Sequence, residues 1–132
     1  MPTDIFYNGI FAPGAGCRAN CIVSNTWIYH NKTTSFIHIN LGSKDVSSYS
    51  MLNIYGAINS YPSTSTLSLA NVAGICNMVT ISAQGNVWSV WSIDISQLTA
   101  FNLDSYLSIG GITGGEYPDM NAHTRISHIW LS

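Results

Sequence analysis

Of 132 residues only 4 Lys/Arg and 6 Asp/Glu carry formal charge, so the chain is 8% charged with net −2, against about 25% in an ordinary soluble domain. No apolar run reaches the ~18 residues of a transmembrane helix, no basic segment followed by an apolar stretch marks a signal peptide, and four scattered cations do not make the cluster that nucleic-acid phosphates need. Hydrophobic residues at 46%, with 18 Ser, 10 Thr and 12 Asn, exclude disorder and predict one globular domain over residues 1–132 with a neutral hydroxyl-and-amide surface.

Strong helix formers are sparse, with a single Glu at Glu116, and apolar residues at helical spacing are hard to find over any long window. Period-two alternation takes their place, as in Ile37, Ile39 and Leu41 between Phe36, His38 and Asn40. In chain order it predicts strands at Asp4–Phe11, Cys21–His30, Thr34–Leu41, Met51–Ile58, Thr66–Ala70, Gly74–Ile81, Asn86–Ile93, Tyr106–Ile109 and Thr124–Leu131. Turn chemistry falls between them: Ala12 to Gly16, Leu41 to Asp45, Asn59 to Ser63, a tight hairpin at Ala83 to Asn86, and a long Gly/Pro loop from Gly110 to Asn121. A short helical turn fits around Ser96–Phe101. Eight or nine short strands with regular turns read as an all-β chain, an antiparallel β-sandwich.

The cysteines are Cys17, Cys21 and Cys76, an odd number, so at least one thiol is unpaired within the chain. A Cys-x3-Cys with one further Cys lacks the four N/S ligands of a structural zinc site, and His30, His38, His123 and His128 have no finger spacing. No metal or cofactor is expected, and free or buried thiols point to synthesis in a reducing cytosol. Asn31-Lys32-Thr33 matches the glycosylation sequon, but no secretory signal accompanies it and it reads as incidental.

Catalytic patterns are missing. There is no Gly-x-Ser-x-Gly and no His-Glu-x-x-His, and the glycines at 110, 111, 114 and 115 lack the Lys-Ser/Thr and helix of a phosphate loop. Glu116 and Asp119 are the nearest pair of carboxylates. A glycosidase needs two carboxylates on opposite sides of a sugar, which neighbours in one loop rarely provide, so the chain reads as no enzyme.

Aromatic residues carry the functional signal. Trp88 and Trp91, three apart, point to opposite faces of a regular strand, so one of them covers the far side, meets another subunit or lines a groove. If Ile37, Ile39 and Leu41 face the core, Phe36 and His38 face outward. In the last strand Ile126, His128 and Trp130 share one face, and Arg125, Ser127, Ile129 and Leu131 the other. Apolar residues on both faces predict a second buried surface through self-association, with Phe36, His38 and Trp88 or Trp91 at the subunit interface. Tyr61 in Asn-Ser-Tyr-Pro-Ser and Tyr117 in Gly-Glu-Tyr-Pro-Asp-Met-Asn lie in loops beside amides and carboxylates. A sugar ring offers an apolar C–H face to stack on Tyr and hydroxyls for Asn, Asp and Glu. Tyr61, Glu116, Tyr117, Asp119, Asn121 and His123 are therefore the candidate ligand residues.

The segment Phe101 to Gly111, with Leu107-Ser108-Ile109-Gly110-Gly111, resembles the Leu-x-Ile-Gly-Gly strand of laminin-G/concanavalin A-like jelly rolls. Thr124 to Ser132 is similar to their closing strand. The resemblance covers about 30 residues and implies a jelly-roll-like sandwich; the calcium ligands of some members cannot be placed on this sequence. Low charge, abundant Ser/Thr/Asn, many aromatics and two-faced strands resemble the receptor-binding tips of bacteriophage tail fibres and tailspikes. That resemblance implies a homotrimer made in the host cytosol, carried on the virion tail, and binding cell-surface glycans without cleaving them. The alternative is a structural fibre or virion assembly domain with no ligand.

Overall fold

The alternating Ile/Leu segments become strands because each can bury one face while the other stays wet. In a computed structural model that describes residues 3–24, 26–60, 64–71, 74–82, 87–114 and 124–132, the strands run in this order: β1 (Asp4–Tyr7), β2 (Ile10–Phe11), β3 (Gly16–Ala19), β4 (Cys21–Ser24), β5 (Trp27–His30), β6 (Phe36–Asn40), β7 (Lys44–Asp45), β8 (Met51–Ala57), β9 (Thr64–Asn71), β10 (Gly74–Ser82), β11 (Ser89–Asp94), β12 (Ala100–Phe101), β13 (Tyr106–Gly110) and β14 (Arg125–Leu131). A 7-stranded sheet has the order β11-β8-β14-β1-β2, with β5 also on β14 and β4 on β5. A 5-stranded sheet has the order β10-β9-β13-β6-β3, and β7 and β12 form a ribbon. Every strand pair is antiparallel. The expected antiparallel β-sandwich is the fold.

The two sheets meet through one cluster of buried aliphatic side chains. On the 5-stranded side Leu107 and Ile109 lie opposite Ile39 and Ile37 on one neighbour and Leu69 and Leu67 on the other, all at 1% exposure or less. Facing them from the larger sheet are Phe6, Ile54, Ile126 and Ile129, each fully buried. Full burial of one such side chain is worth ~1.5–3 kcal/mol, so this stripe fixes which face of each strand is left outside.

Several expectations need correction. Asp4–Phe11 is a hairpin, because Asn8 and Gly9 both take positive φ (50° and 86°), the combination a two-residue turn of the twist-matched kind requires. Cys21–His30 is likewise a hairpin closed by the pair Ser24 and Trp27. Gly16–Ala19 is a strand, although its Gly/Pro-rich approach reads as a turn. The segment Ala83 to Asn86, expected as a tight hairpin, lies outside the described residues; β10 before it and β11 after it belong to different sheets. Ser96–Phe101 holds a single turn, with Leu98 N–H donating to Ile95 O at 2.9 Å, and then β12.

The last strand is corrected most. A β-bulge at Ser127 sets Ile126 opposite Gly56 and His128 opposite Tyr55. The extra residue reverses the alternation: Ile126 joins Ile129 and Leu131 in the core, and Arg125 moves to the outer face, its guanidinium 5.5 Å and 5.3 Å from the ring centres of Trp27 and Trp88.

Candidate functional site

With the core faces filled, the outer face of each sheet is what the chain presents. On the 5-stranded sheet the register sets His38, Ser108, Ser68 and Met78 in one row across β6, β13, β9 and β10, and Phe36, Gly110, Thr66 and Thr80 in the next. In these two rows the large side chains stand on β6 and small ones on the two central strands; in the next row Tyr106 of β13 stands between Asn40 and Ala70. Ser68 and Ala70 are only 8% and 4% exposed although they point away from the core, so they floor a trough. Its sides, β6 and β10, are three strand spacings or about 14 Å apart.

A stack of rings runs along β6 and onto β13. Phe36 and His38 have centroids 4.8 Å apart, and His38 and Tyr106 4.7 Å apart. Arg18, next to the inward Cys17 and the extra residue of a bulge before Ala19 in β3, faces outward, and its guanidinium lies 4.2 Å above the Tyr106 ring. Burial, and secondarily the charge of Arg18, hold the His38 imidazole below its ordinary value, so at neutral pH it is an uncharged ring with one donor and one acceptor. Asn20, at φ 62°, donates from Nδ2 to Phe36 O at 3.2 Å and ties β3 to the wall. None of the strands of this sheet contains an Asp or Glu. Rings flank hydroxyls here: the rings suit apolar C–H faces, and the hydroxyls suit a polyol.

Behind the wall, Cys17 and Cys21 are free thiols within hydrogen-bonding reach of each other. The single S–H of Cys21 can alternatively donate to His38 O, 3.6 Å from its Sγ. A hydrogen bond from Cys21 favours the Cys17 thiolate and lowers its pKa, while the same pairing and burial push the Cys21 thiol up. Among the described residues no group of three His, Cys, Asp or Glu could hold a metal ion.

The outer face of the larger sheet is also aromatic. Tyr7 and His128 pack at 4.7 Å, His128 and Trp130 at 4.3 Å, Tyr55 and Trp88 at 5.2 Å, and Trp27 and Trp88 at 5.5 Å.

All six candidate ligand residues, Tyr61, Glu116, Tyr117, Asp119, Asn121 and His123, lie outside the described residues. The structure brings Phe36 and His38 together on the trough wall and puts Trp88 on the opposite side of the sandwich. Trp91, opposite Ile54, packs against the core. Tyr106 and Arg18 escaped the sequence reading. Tyr106 was within reach of it, since inward Leu107 and Ile109 oblige Tyr106 and Ser108 to face outward; that Arg18 caps its ring was not, because this depends on β3 and β13 flanking β6.

No protein-family model matches the chain, and no curated protein matches its sequence. Solved structures do match its fold. A substituted form of the family 29 carbohydrate-binding module CBM29-2 superposes with a TM-score of 0.64 at 15% identity, covering 98% of this chain and 90% of that one. A second substituted form, in complex with cellulohexaose, gives 0.63 at 13% identity over 96% and 87%. These neighbours are carbohydrate-binding modules. So is the CBM35 of Paenibacillus barcinonensis, at a TM-score of 0.51 and 15% identity over 91% of this chain and 93% of that one.

Proposed function

We propose that this chain is a non-catalytic glycan-binding module whose ligand lies in the trough of the 5-stranded sheet. The observation that carries this reading is the ring stack Phe36–His38–Tyr106, capped by Arg18, beside a floor of Ser108, Ser68 and Thr66. Stacked rings take the apolar face of a sugar, while hydroxyls and the neutral imidazole exchange hydrogen bonds with its OH groups. The likeness of the fold to carbohydrate-binding modules supports the reading. Hydrolysis needs two carboxylates about the scissile bond, and the strands of the trough carry none, which favours binding without cleavage.

A fibre tip attaching to bacterial surface glycans is the setting that composition suggests for such a module. We assign Phe36 and His38 to the ligand rather than to a subunit contact, so a trimer would have to leave the trough open; sedimentation at micromolar concentration reads its presence directly. The decisive test is a broad glycan array, with cellulohexaose and mannohexaose included, probed with the protein and with its His38→Ala/Tyr106→Ala variant. Binding by the parent that drops at least tenfold in the variant is expected. Silence of the parent, or unchanged binding by a folded variant, overturns the assignment.

A further inference from the structure

We propose that the outer face of the 7-stranded sheet is a second glycan-binding platform, for a neutral linear chain lying across the strands. This extends the reading of the chain as a glycan binder but does not depend on the trough.

Two adjacent rows cross β1, β14, β8 and β11 in register. One is Tyr7, His128, Tyr55 and Val90; the other is Asp4, Trp130, Asn53 and Ser92. The first row is mostly rings and the second mostly polar, and they stand two residues or about 7 Å apart along β14, β8 and β11, and three residues apart on β1, where the register shifts. A glycan following the first row sets its ring faces on Tyr7 and Tyr55, 56% and 37% exposed, and turns hydroxyls toward Asp4 and Ser92 of the second, between which Asn53 is buried.

The polar groups are already fixed. Ser92 Oγ donates to Asn53 Oδ1 at 2.7 Å, and Asn53 Nδ2 donates to Ser132 Oγ at 3.0 Å. His128 Nε2 and Asp4 Oδ1, 2.6 Å apart, tie the rows together. The Asp4 side chain stays 45% exposed, and a carboxylate has accepting capacity beyond one partner. At this end the face opens into a hollow of about 360 Å³ lined by Asp4, Tyr7, Ile10, Phe11, Ala12 and Pro13, where a glycan terminus has room.

Charge decides between occupants. The strands of this sheet carry one cation, Arg125, 7% exposed and turned onto Trp27 and Trp88. Beyond His128, which already holds one of its oxygens, a second copy of the face would therefore bury Asp4 with no accessible Lys or Arg to meet it, and burying a carboxylate so placed is costly. Sugar hydroxyls supply the hydrogen bonds that a second copy lacks. The same shortage of accessible cations disfavours an anionic glycan.

Two pairs of variants separate the sites: Tyr7→Ala/Tyr55→Ala on the platform and His38→Ala/Tyr106→Ala in the trough. A glycan that the parent binds on the array, tried after cellulohexaose and mannohexaose, is titrated into the trough variant while amide resonances are followed. Saturable shifts in β1, β8 and β14 that disappear when Tyr7→Ala/Tyr55→Ala is added are the expected result. No shift in those strands with any bound glycan overturns the platform and leaves the trough reading intact. A dimer in sedimentation that the Tyr7→Ala/Tyr55→Ala pair dissociates also overturns it, in favour of a second copy. Loss of all binding in the platform pair alone supports the platform and removes the trough, and a parent that binds nothing removes both.

Discussion

The carbonyl oxygen of Arg125 lies 2.6 Å from where a Cβ would stand on Gly56. Gly56 faces Ile126 across the ladder at the bulge of β14, so the bulged strand approaches β8 more closely than any side chain allows. Gly56→Ala forces one backbone to retreat, because a carbonyl cannot swing aside as a side-chain tip can. A loss of about 1–3 kcal/mol is expected, read from chemical denaturation, together with altered fluorescence of Trp27 and Trp88, which flank Arg125.

Ile109 and Ser108 are neighbours in β13 with opposite duties. Ile109→Ala empties a fully buried site between Ile37 and Leu67 and should cost about 2–5 kcal/mol. Ser108→Ala, on the trough floor, should change stability by less than about 0.5 kcal/mol while weakening glycan retention. Equal effects of both on the melting curve would make Ser108 a packing residue.

The depressed pKa of His38 has a defined pH signature. Between the folded pKa and the unfolded value near 6.5 the unfolded chain binds more protons, so stability rises with pH there. The contribution is complete above the unfolded value and disappears as pH falls through the folded one. Melting should therefore come earlier at about pH 5 than at about pH 7.5, and an NMR titration of the imidazole should give a midpoint below 6.5. Arg18→Gln should move that midpoint up only part of the way, since burial is the larger cause.

The thiol pair should react unequally. Cys17, whose thiolate accepts a hydrogen bond from Cys21, should be alkylated by iodoacetamide before Cys21, as mapped by peptide mass spectrometry. Cys21→Ala should slow modification of Cys17, because its thiolate loses that donor. Faster modification in the variant would mean that access, not acidity, governs the site.

The alternation of Ile37, Ile39 and Leu41 with Phe36 and His38 is enough to make a strand and to say which side of it is wet, because side-chain direction along a strand follows from the backbone alone. The neutral, hydroxyl-and-amide character of the outer faces is likewise legible in the shortage of charge and the wealth of Ser, Thr and Asn. Asn8-Gly9 is a hairpin-turn signature in the sequence itself, set between apolar residues that by themselves read as one continuous strand. Pairing was out of reach. β1 lies on β14, so that Asp4 meets His128 across a sequence separation of 124, and Tyr106 meets His38 and Arg18 only because β13 and β3 flank β6. The bulge of β14 mattered as much, since one extra residue turns Arg125 outward and reverses a face that strict alternation assigns to the core. The sequence by itself therefore determined the material of each face, strand by strand. Which strands stand side by side, and thus the trough and the platform, was decided by the packing of the shared core, because register answers to contacts made across the whole chain.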